Sequence, residues 1–276
     1  MPSSKKIRDF RAVVWKYYRI QGRHDLPWRK TKNPYRILVS EVMLQQTQVP
    51  RVLEKYKEFL KQFPTVYVLA KASLADVLKV WSGLGYNRRG KYLHDAAKII
   101  IEKHRKFPRE YEALRKLPGV GEYTAHAVRT FAFNERDVFI ETNIRTTFIH
   151  HFFSYPSILI DRQGLGDIGD SAILPLVGEA AKKQDPREWH YALMDYGTYL
   201  KKIGVRNNHR SAHYTKQSKF EGSLRQVRGA ILRALHAGER IEKLPFAKKK
   251  IESALASLTR DGLILKKQRR WTFGTM

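Results

Sequence analysis

The residues whose types and spacing could do chemistry together lie between Leu117 and Asn143, in the segment LPGVGEYTAHAVRTFAFNERDVFIETN. The segment starts with Gly119 and Gly121, which suit a tight turn with positive φ or a close approach of the backbone to another group. A helix is predicted directly after this turn. Its free N–H groups and its positive end would point at one place, an arrangement that binds phosphate. The alternative is an ordinary corner between two helices.

A carboxylate follows the same turn. Glu141 lies twenty residues beyond Gly121, in the run FIETNIR, so that the predicted helix brings it back near the turn. A carboxylate and a phosphate-binding turn would then face one ligand. This combination favours a ligand-binding turn over a simple helical corner.

The motif LPGVGEYTA followed by ETN resembles the helix-hairpin-helix DNA glycosylase superfamily. The resemblance implies a hairpin that binds a DNA phosphate and an acidic residue, Glu141, beside the sugar of a flipped nucleotide. The residues of this sequence that would contact DNA through the hairpin are Gly119, Val120, Gly121, Tyr123 and Thr124.

A second motif region comprises LPWR, NPY and SEVMLQQTQV, between residues 26 and 49. Taken alone, Glu41 would be a surface residue at a helix start, where the helix dipole favours a negative charge. The three motifs together resemble MutY-type adenine DNA glycosylases. That resemblance implies that Glu41 is the general acid. It also implies that Trp28 and Arg29 line the pocket that receives the base.

The turn GLGY contributes an aromatic side chain, that of Tyr86. By the same resemblance Tyr86 enters the DNA stack beside the base opposite the target, with Gln46 on the same surface. A wedge of this kind offsets part of the few kcal/mol that unstacking costs. Three basic residues, Arg88, Arg89 and Lys91, are predicted to hold nearby phosphates, which orient the DNA without reading its sequence. The alternative for Tyr86 is a half-buried aromatic at a turn.

Release of adenine requires a proton for the departing base and a negative charge near the oxocarbenium-like sugar. Glu41 in an apolar pocket is predicted to have a raised pKa and to protonate the purine, while Glu141 stays ionised and faces C1′. The resemblance implies that Tyr123 and Asn143 complete the catalytic group. Tyr123 stands where strand-nicking relatives carry a nucleophilic lysine, so a monofunctional glycosylase is expected.

Two positions depart from the family pattern. Residue 141 is normally Asp in the superfamily, and a displacement of about 1 Å can lower a rate on the order of a hundredfold. Tyr191 stands where MutY enzymes carry Glu or Gln near the flipped adenine. Two alternatives therefore stay open: a glycosylase for thymine or uracil opposite guanine, or a catalytically silent DNA-binding protein.

The composition indicates a polyanionic partner. Lys and Arg number 53 against 26 acidic residues, which gives a net charge of +27. The alternative is a generally basic surface. We expect double-stranded DNA with a mispaired or damaged base as the partner, no membrane contact, and a monomer in the cytoplasm, associated with the nucleoid.

Cofactors are constrained by the absence of cysteine. The chain has no thiolate for disulfides, cysteine-zinc sites or Fe–S clusters, and its histidines show no metal-binding spacing. The segment EWHYALMDYGTYLKK resembles the last glycosylase helix, with Asp195 and Gly197 in the ALMDxG pattern. Most relatives carry a four-cysteine cluster loop just after it. We therefore expect no cofactor and no metal, and the basic residues that could contact phosphates there instead are Lys201, Lys202, Arg206 and Arg210.

The fold implied by the resemblance is all-α, a two-lobed helix-hairpin-helix glycosylase fold over residues 1–218. Residues 219–276 read as helix, short connector, helix and strand pair, the order of a small winged-helix-like domain. The stretch 161–170 resembles a calcium-binding loop only superficially and is predicted to be a surface loop.

Overall fold

The computed structural model describes residues 2–104, 106–153, 168–205, 207–212, 219–268 and 270–274. Most of these residues are helical. The α-helices of the described ranges are α1 (Ser4–Gln21), α2 (Pro34–Leu44), α3 (Val49–Gln62), α4 (Val66–Lys71), α5 (Leu74–Trp81), α6 (Arg88–Ile99), α7 (Tyr111–Arg115), α8 (Glu122–Phe133), α9 (Thr142–Phe152), α10 (Asp170–Ala181), α11 (Pro186–Lys202), α12 (Leu224–Ala237) and α13 (Lys248–Arg260).

Short helical turns and one hairpin complete the described structure. The 3-10 turns are Pro27–Arg29, Asn207–Arg210 and Ile241–Lys243, and α6 continues as a π-helical turn, Ile100–His104. The strands β1 (Ile264–Lys267) and β2 (Arg270–Phe273) form an antiparallel pair in which Ile264 lies opposite Phe273. The predicted all-α class with a small C-terminal hairpin is confirmed.

The chain divides into two compact units. The first, unit 1, comprises Met1–Lys32 and Glu122–Lys216, and the second, unit 2, comprises Asn33–Gly121 and Gln217–Met276. This partition differs from the division at residue 218 predicted from sequence, which stays a prediction. The predicted loop 161–170 lies mostly outside the described residues, as does Arg206.

Unit 1 is organised around the packing of α9 against α11. Local sequence explains where these helices start. Asp185 caps α11 by accepting the N–H of Glu188, and Pro186 occupies the first turn, where its missing N–H is not needed. The core beneath them is aromatic: Phe10 of α1 meets Phe148 and Trp189 with ring centroids 5.1 and 6.1 Å apart.

Unit 2 contains an apolar cluster that joins the C-terminal elements to α5. Leu78 of α5 is buried together with Val227 and Ile231 of α12 and Leu258 of α13. Ser223 caps the start of α12, and Gly238, with φ of 69°, ends it in the left-handed conformation that glycine adopts without steric cost. Residues 219–274 therefore do not form their core alone.

Among the described residues, no helix combines the length and the apolar character that a membrane span requires.

Candidate active site and DNA-binding surface

The first group of site residues is built on the start of α9 in unit 1. Glu141 is the N-cap of this helix, and its Oε1 accepts the backbone N–H groups of Asn143 (2.7 Å) and Ile144 (2.8 Å). These two donors belong to the set that a helix start leaves unpaired, so the side chain both ends the preceding extended run and begins the helix. The carboxylate is thereby fixed at the positive end of α9.

The side chain of Asn143 links this carboxylate to a cation. Its Nδ2 donates to Glu141 Oε2 at 3.1 Å, and its Oδ1 accepts from Lys201 Nζ at 2.7 Å. Sequence reasoning missed Lys201 as a member of this group and placed it with the phosphate contacts. A signal was present, because Lys201 follows Gly197 by four positions and therefore lies on the same face of α11.

Gly197 explains why α11 can approach this site. A Cβ at position 197 would collide with the backbone carbonyl of Asn143. Only glycine permits this distance between α9 and α11. The glycine of the ALMDxG pattern is thus a packing requirement that brings Lys201 within reach of Asn143.

Opposing influences act on the Glu141 carboxyl. Burial raises its pKa above the ordinary value, while the N–H groups of Asn143 and Ile144 and the charges of Lys201 and Arg145 lower it, and the net shift is upward. Lys201 shows the reverse: burial lowers the pKa of its ammonium, and the charge of Glu141 partly restores it. Each of the two groups therefore favours the ionised form of the other.

Tyr123 and Thr124 lie in the first turn of α8, in the same unit as Glu141. The ring of Tyr123 meets Phe139 edge to face, with centroids 5.5 Å apart, two positions before Glu141 in the chain. Thr124 is buried. The predicted roles of these two residues stay predictions.

Arg29 and Tyr191, assigned to the base pocket from sequence, lie together in unit 1. The Arg29 guanidinium carbon lies 4.3 Å from the centroid of the Tyr191 ring, and that ring stacks on Phe131 at a 4.3 Å centroid distance. Trp28 beside them is buried. The Tyr191 ring therefore contacts both a cation and an aromatic ring, two interactions that favour one orientation of the side chain.

Asp195 of the ALMDxG pattern holds Arg29 in place. Its two carboxylate oxygens accept from both terminal nitrogens of Arg29 at 2.7 and 2.8 Å, and they also accept from the backbone N and the Nε of Arg23. Burial alone would raise the pKa of Asp195, but its bonds to Arg29 and Arg23 shift it below the ordinary value. Arg29 therefore lies beside Tyr191 as one member of a buried ion pair with Asp195.

Glu41 lies in unit 2, on α2. Asn33 caps this helix by accepting the N–H of Arg36, and Pro34 follows it in the first turn. Glu41 is 5% exposed and is surrounded along α2 by the buried Leu38 and Val42. The exposed position considered for it from local sequence is therefore wrong, because α2 is enclosed along almost its whole length.

Arg89 does not have the exposed guanidinium that its predicted phosphate contact requires. Its side chain is buried, and the guanidinium donates to the carbonyls of Val42 (2.8 Å) and Met43 (3.0 Å) at the end of α2 and to those of Leu84 and Gly85. Burial lowers its pKa to about 10, so the group stays charged at neutral pH. We assign Arg89 to holding α2 against the 84–85 turn.

Arg88, by contrast, is exposed, with its guanidinium 3.4 Å from the carboxylate of Asp261. The predicted phosphate contact is therefore retained for Arg88, whereas the ammonium of Lys91 pairs with Asp95 at 2.6 Å. The Arg88 contact remains a prediction.

Gln46 and Tyr86 line one cavity of 370 Å³ in unit 2. Both adopt positive φ, 55° and 46°, which is uncommon for residues other than glycine and often marks a functional position. The Tyr86 hydroxyl accepts from Arg225 Nη1 of α12 at 2.6 Å. The predicted wedge residue is thus contacted by a side chain of the C-terminal segment, which the sequence did not suggest.

The glycine turn before α8 has the predicted geometry at Gly119 but not at Gly121, which has no positive φ and where an added Cβ would meet no atom of the described residues within 4 Å. Gly119 has φ of 74°, and a Cβ there would lie 2.8 Å from the Cβ of Tyr92. The N–H of Val120 donates to the carbonyl of Leu117 at 3.1 Å, closing the turn. Gly119 is therefore required both by conformation and by packing, and α8 begins at Glu122, directly after Gly121.

Residues 39–196 match a protein-family model described as HhH-GPD superfamily base excision DNA repair protein. Since the match covers more than half of the 276 residues, the chain belongs to this superfamily. The more particular likeness is to curated adenine DNA glycosylases.

Two such relatives show its extent. The adenine DNA glycosylase of Buchnera aphidicola subsp. Baizongia pistaciae is 40% identical over 144 residues, 52% of this chain and 41% of that protein. The adenine DNA glycosylase of Mycolicibacterium smegmatis is 31% identical over 237 residues, 78% of this chain and 76% of that protein. The chain thus spans less than half the length of the first relative and about three quarters of the second.

A solved structure, a thermostable thymine-DNA glycosylase, has a similar fold. The TM-score is 0.62 at 24% sequence identity, and the match covers 74% of this chain and 91% of that one. The helix-hairpin-helix glycosylase fold implied by the sequence motifs is thereby confirmed.

Proposed function

We propose that this protein is a monofunctional DNA glycosylase of base excision repair that removes mispaired adenine, opposite 8-oxoguanine or guanine, after base flipping. The observation that carries the proposal is the Glu141 carboxylate, held at the start of α9 by two backbone N–H groups and by Asn143. Its surroundings suit a fixed negative charge beside a cationic sugar. The likeness to adenine DNA glycosylases supports adenine as the base.

In the proposed reaction Glu41 gives its proton to the flipped base while the bond between C1′ and the base nitrogen breaks. Glu141 stabilises the positive charge that develops on the sugar. A water molecule then adds to C1′ and loses a proton, which leaves an abasic site and free adenine. The reaction requires neither a metal nor a redox cofactor, and the chain contains no cysteine to hold the Fe–S cluster common among its relatives.

The absence of lyase activity follows from Tyr123, which places a phenol where strand-nicking relatives have an amine. The proposed substrate is double-stranded DNA, bound through the 117–124 hairpin, Arg88 and the surface around Gln46 and Tyr86. The proposed site of action is nucleoid DNA in the cytoplasm, with the protein as a monomer and no membrane contact.

One observation favours a second substrate class. Tyr191 stacks on Phe131 beneath Arg29, at the position where the resemblance leads us to expect a Glu or Gln near the base. A phenol cannot accept the same hydrogen bonds as a carboxylate or an amide. Excision of thymine or uracil opposite guanine is therefore the second candidate.

The deciding experiment is single-turnover base release from matched duplexes containing A opposite 8-oxoguanine, A opposite G, T opposite G and U opposite G, with alkali added afterwards to reveal abasic sites. We expect cleavage only at adenine, and no strand break before alkali. Release of thymine or uracil would transfer the assignment to the second candidate. Tight binding without any release would show a silent DNA-binding protein.

A further inference from the structure

Lys201 is the one cation hydrogen-bonded to the Glu141–Asn143 pair among the described residues. Its ammonium lies 2.7 Å from Asn143 Oδ1, and 58 sequence positions separate the two residues. Lysine is a donor without acceptor capacity, so the Asn143 oxygen must face it. The amide NH₂ is then directed to Glu141 Oε2, where it lies at 3.1 Å.

We propose that Lys201 is a positioning residue for base excision: it fixes the orientation of the Asn143 amide, and through that amide it holds the Glu141 carboxylate toward the reacting sugar. This inference rests on the proposed glycosylase function. It assigns Lys201 no contact with substrate and no covalent step.

The structure favours this role over a phosphate contact for Lys201. Lys201 lies on the Gly197 face of α11, which packs against Asn143, whereas the neighbouring Lys202 is exposed. Lys201 and Lys202 therefore differ in role, although each contributes the same single positive charge to the composition.

Electrostatics adds a second contribution. The charge of Lys201 lowers the pKa of Glu141 against the larger upward effect of burial, and Arg145 acts in the same direction. Arg145 is itself paired with Asp170 at 2.7 Å, and the 3-10 turn packed against α9 carries His209 and Arg210. Substitution of Lys201 leaves all of these groups in place, so a change in the titration of Glu141 reports on Lys201.

The test compares Lys201→Met, Lys201→Arg and Lys202→Met with the wild-type protein. Lys202→Met is the matched control, since it removes the same charge one position away. In single-turnover assays with A opposite 8-oxoguanine, we expect Lys201→Met to lower the limiting rate about 10- to 100-fold, as for a misplaced catalytic group. The half-saturating protein concentration should stay unchanged, and Lys201→Arg should restore most of the rate.

The pH profile provides a readout that a purely structural role would not change. The rate requires ionised Glu141 and therefore falls as pH drops through its pKa. Loss of the Lys201 charge raises that pKa, so the acidic limb of the Lys201→Met profile should move to higher pH. Lys201→Arg and Lys202→Met should keep the limb of the wild type.

The proposal would be overturned if Lys201→Met and Lys202→Met had equal rates, or if both changed only affinity and its salt dependence. Borohydride trapping of a protein–DNA adduct that disappears in Lys201→Met would instead identify Lys201 as a nucleophile.

The third readout is ¹³C NMR titration of the Glu141 carboxyl, assigned by its loss in Glu141→Gln. An unshifted titration in Lys201→Met rejects the proposal even if the wild type releases no base, an outcome that would separately reject the proposed function.

Discussion

Glu41 and Glu141 have opposite tasks in the proposed reaction, although both are glutamates. Glu141 is surrounded by groups that favour its charge: two N–H donors, an amide NH₂ and, beyond it, Lys201. Glu41 is 5% exposed and lies between Ser40 and Val42 on a helix whose side chains are mostly buried. The donors and the cation favour the ionised form of Glu141 against the larger upward effect of burial on its pKa, whereas the role of acid is assigned to Glu41 by the resemblance of its motif.

The division of roles predicts the effect of Glu41→Gln. Glutamine has nearly the same shape but cannot act as an acid at this position, so we expect base release to fall by at least about 100-fold. Affinity for the mismatched duplex, measured by gel shift, should be unchanged. Glu54→Gln, an exposed substitution on α3, is the matched control. Loss of binding with normal release from the DNA that still binds would contradict the acid role.

At the scale of elements, α2 depends on a side chain from another helix. Arg89 of α6 donates to the carbonyls of Val42 and Met43, which belong to the last turn of α2 and have no partner within that helix. The same guanidinium binds the carbonyls of Leu84 and Gly85. One buried cation thus joins the helix that carries Glu41 to the turn that precedes Tyr86.

We therefore expect Arg89→Met to destabilise the protein strongly, by about 3 kcal/mol or more, because several buried carbonyls would lose their donor at about 1–3 kcal/mol each. Thermal unfolding followed by circular dichroism would measure the effect. Arg88→Met removes the same kind of side chain at the next position, but from an exposed ion pair worth at most about 1 kcal/mol. Similar melting temperatures for the two variants would refute the assigned role of Arg89.

At the scale of the whole molecule, the excess of basic residues determines how binding should respond to salt. The net charge of +27 on 276 residues is what remains after every acidic charge is counted against a basic one, so ion pairs within the protein cannot neutralise it. If these charges contact DNA phosphates, binding releases counterions, and the affinity falls steeply as salt rises.

We expect the affinity for an undamaged duplex to fall about 10³-fold between 50 and 200 mM salt, the range for a protein that makes about six or more phosphate contacts. Fluorescence anisotropy with a labelled duplex would give the slope. A duplex with a mismatch should show a similar slope at higher affinity, because phosphate contacts carry little sequence information. An affinity independent of salt would contradict a DNA-binding role for the basic surface.

The sequence alone was sufficient to predict the elements that a few neighbouring residues determine. The turn at Gly119, the helices around it, the order of α12, α13 and the C-terminal hairpin, and the membership in the glycosylase superfamily all follow from short motifs. These features depend on backbone conformation, capping and apolar periodicity, which neighbouring residues determine. The motifs also identified Glu41 and Glu141 as the residues to examine.

Only the tertiary structure decided what Arg89, Lys201 and Arg225 contact. Arg89 reaches residues more than 40 positions away, Lys201 bonds to Asn143 58 positions away, and Arg225 binds Tyr86 139 positions away. The sequence does not distinguish a basic residue that is exposed to solvent from one that donates hydrogen bonds to buried oxygens. Its role depends on which distant acceptors the packing of the helices brings within hydrogen-bonding distance, and that packing is a property of the whole fold.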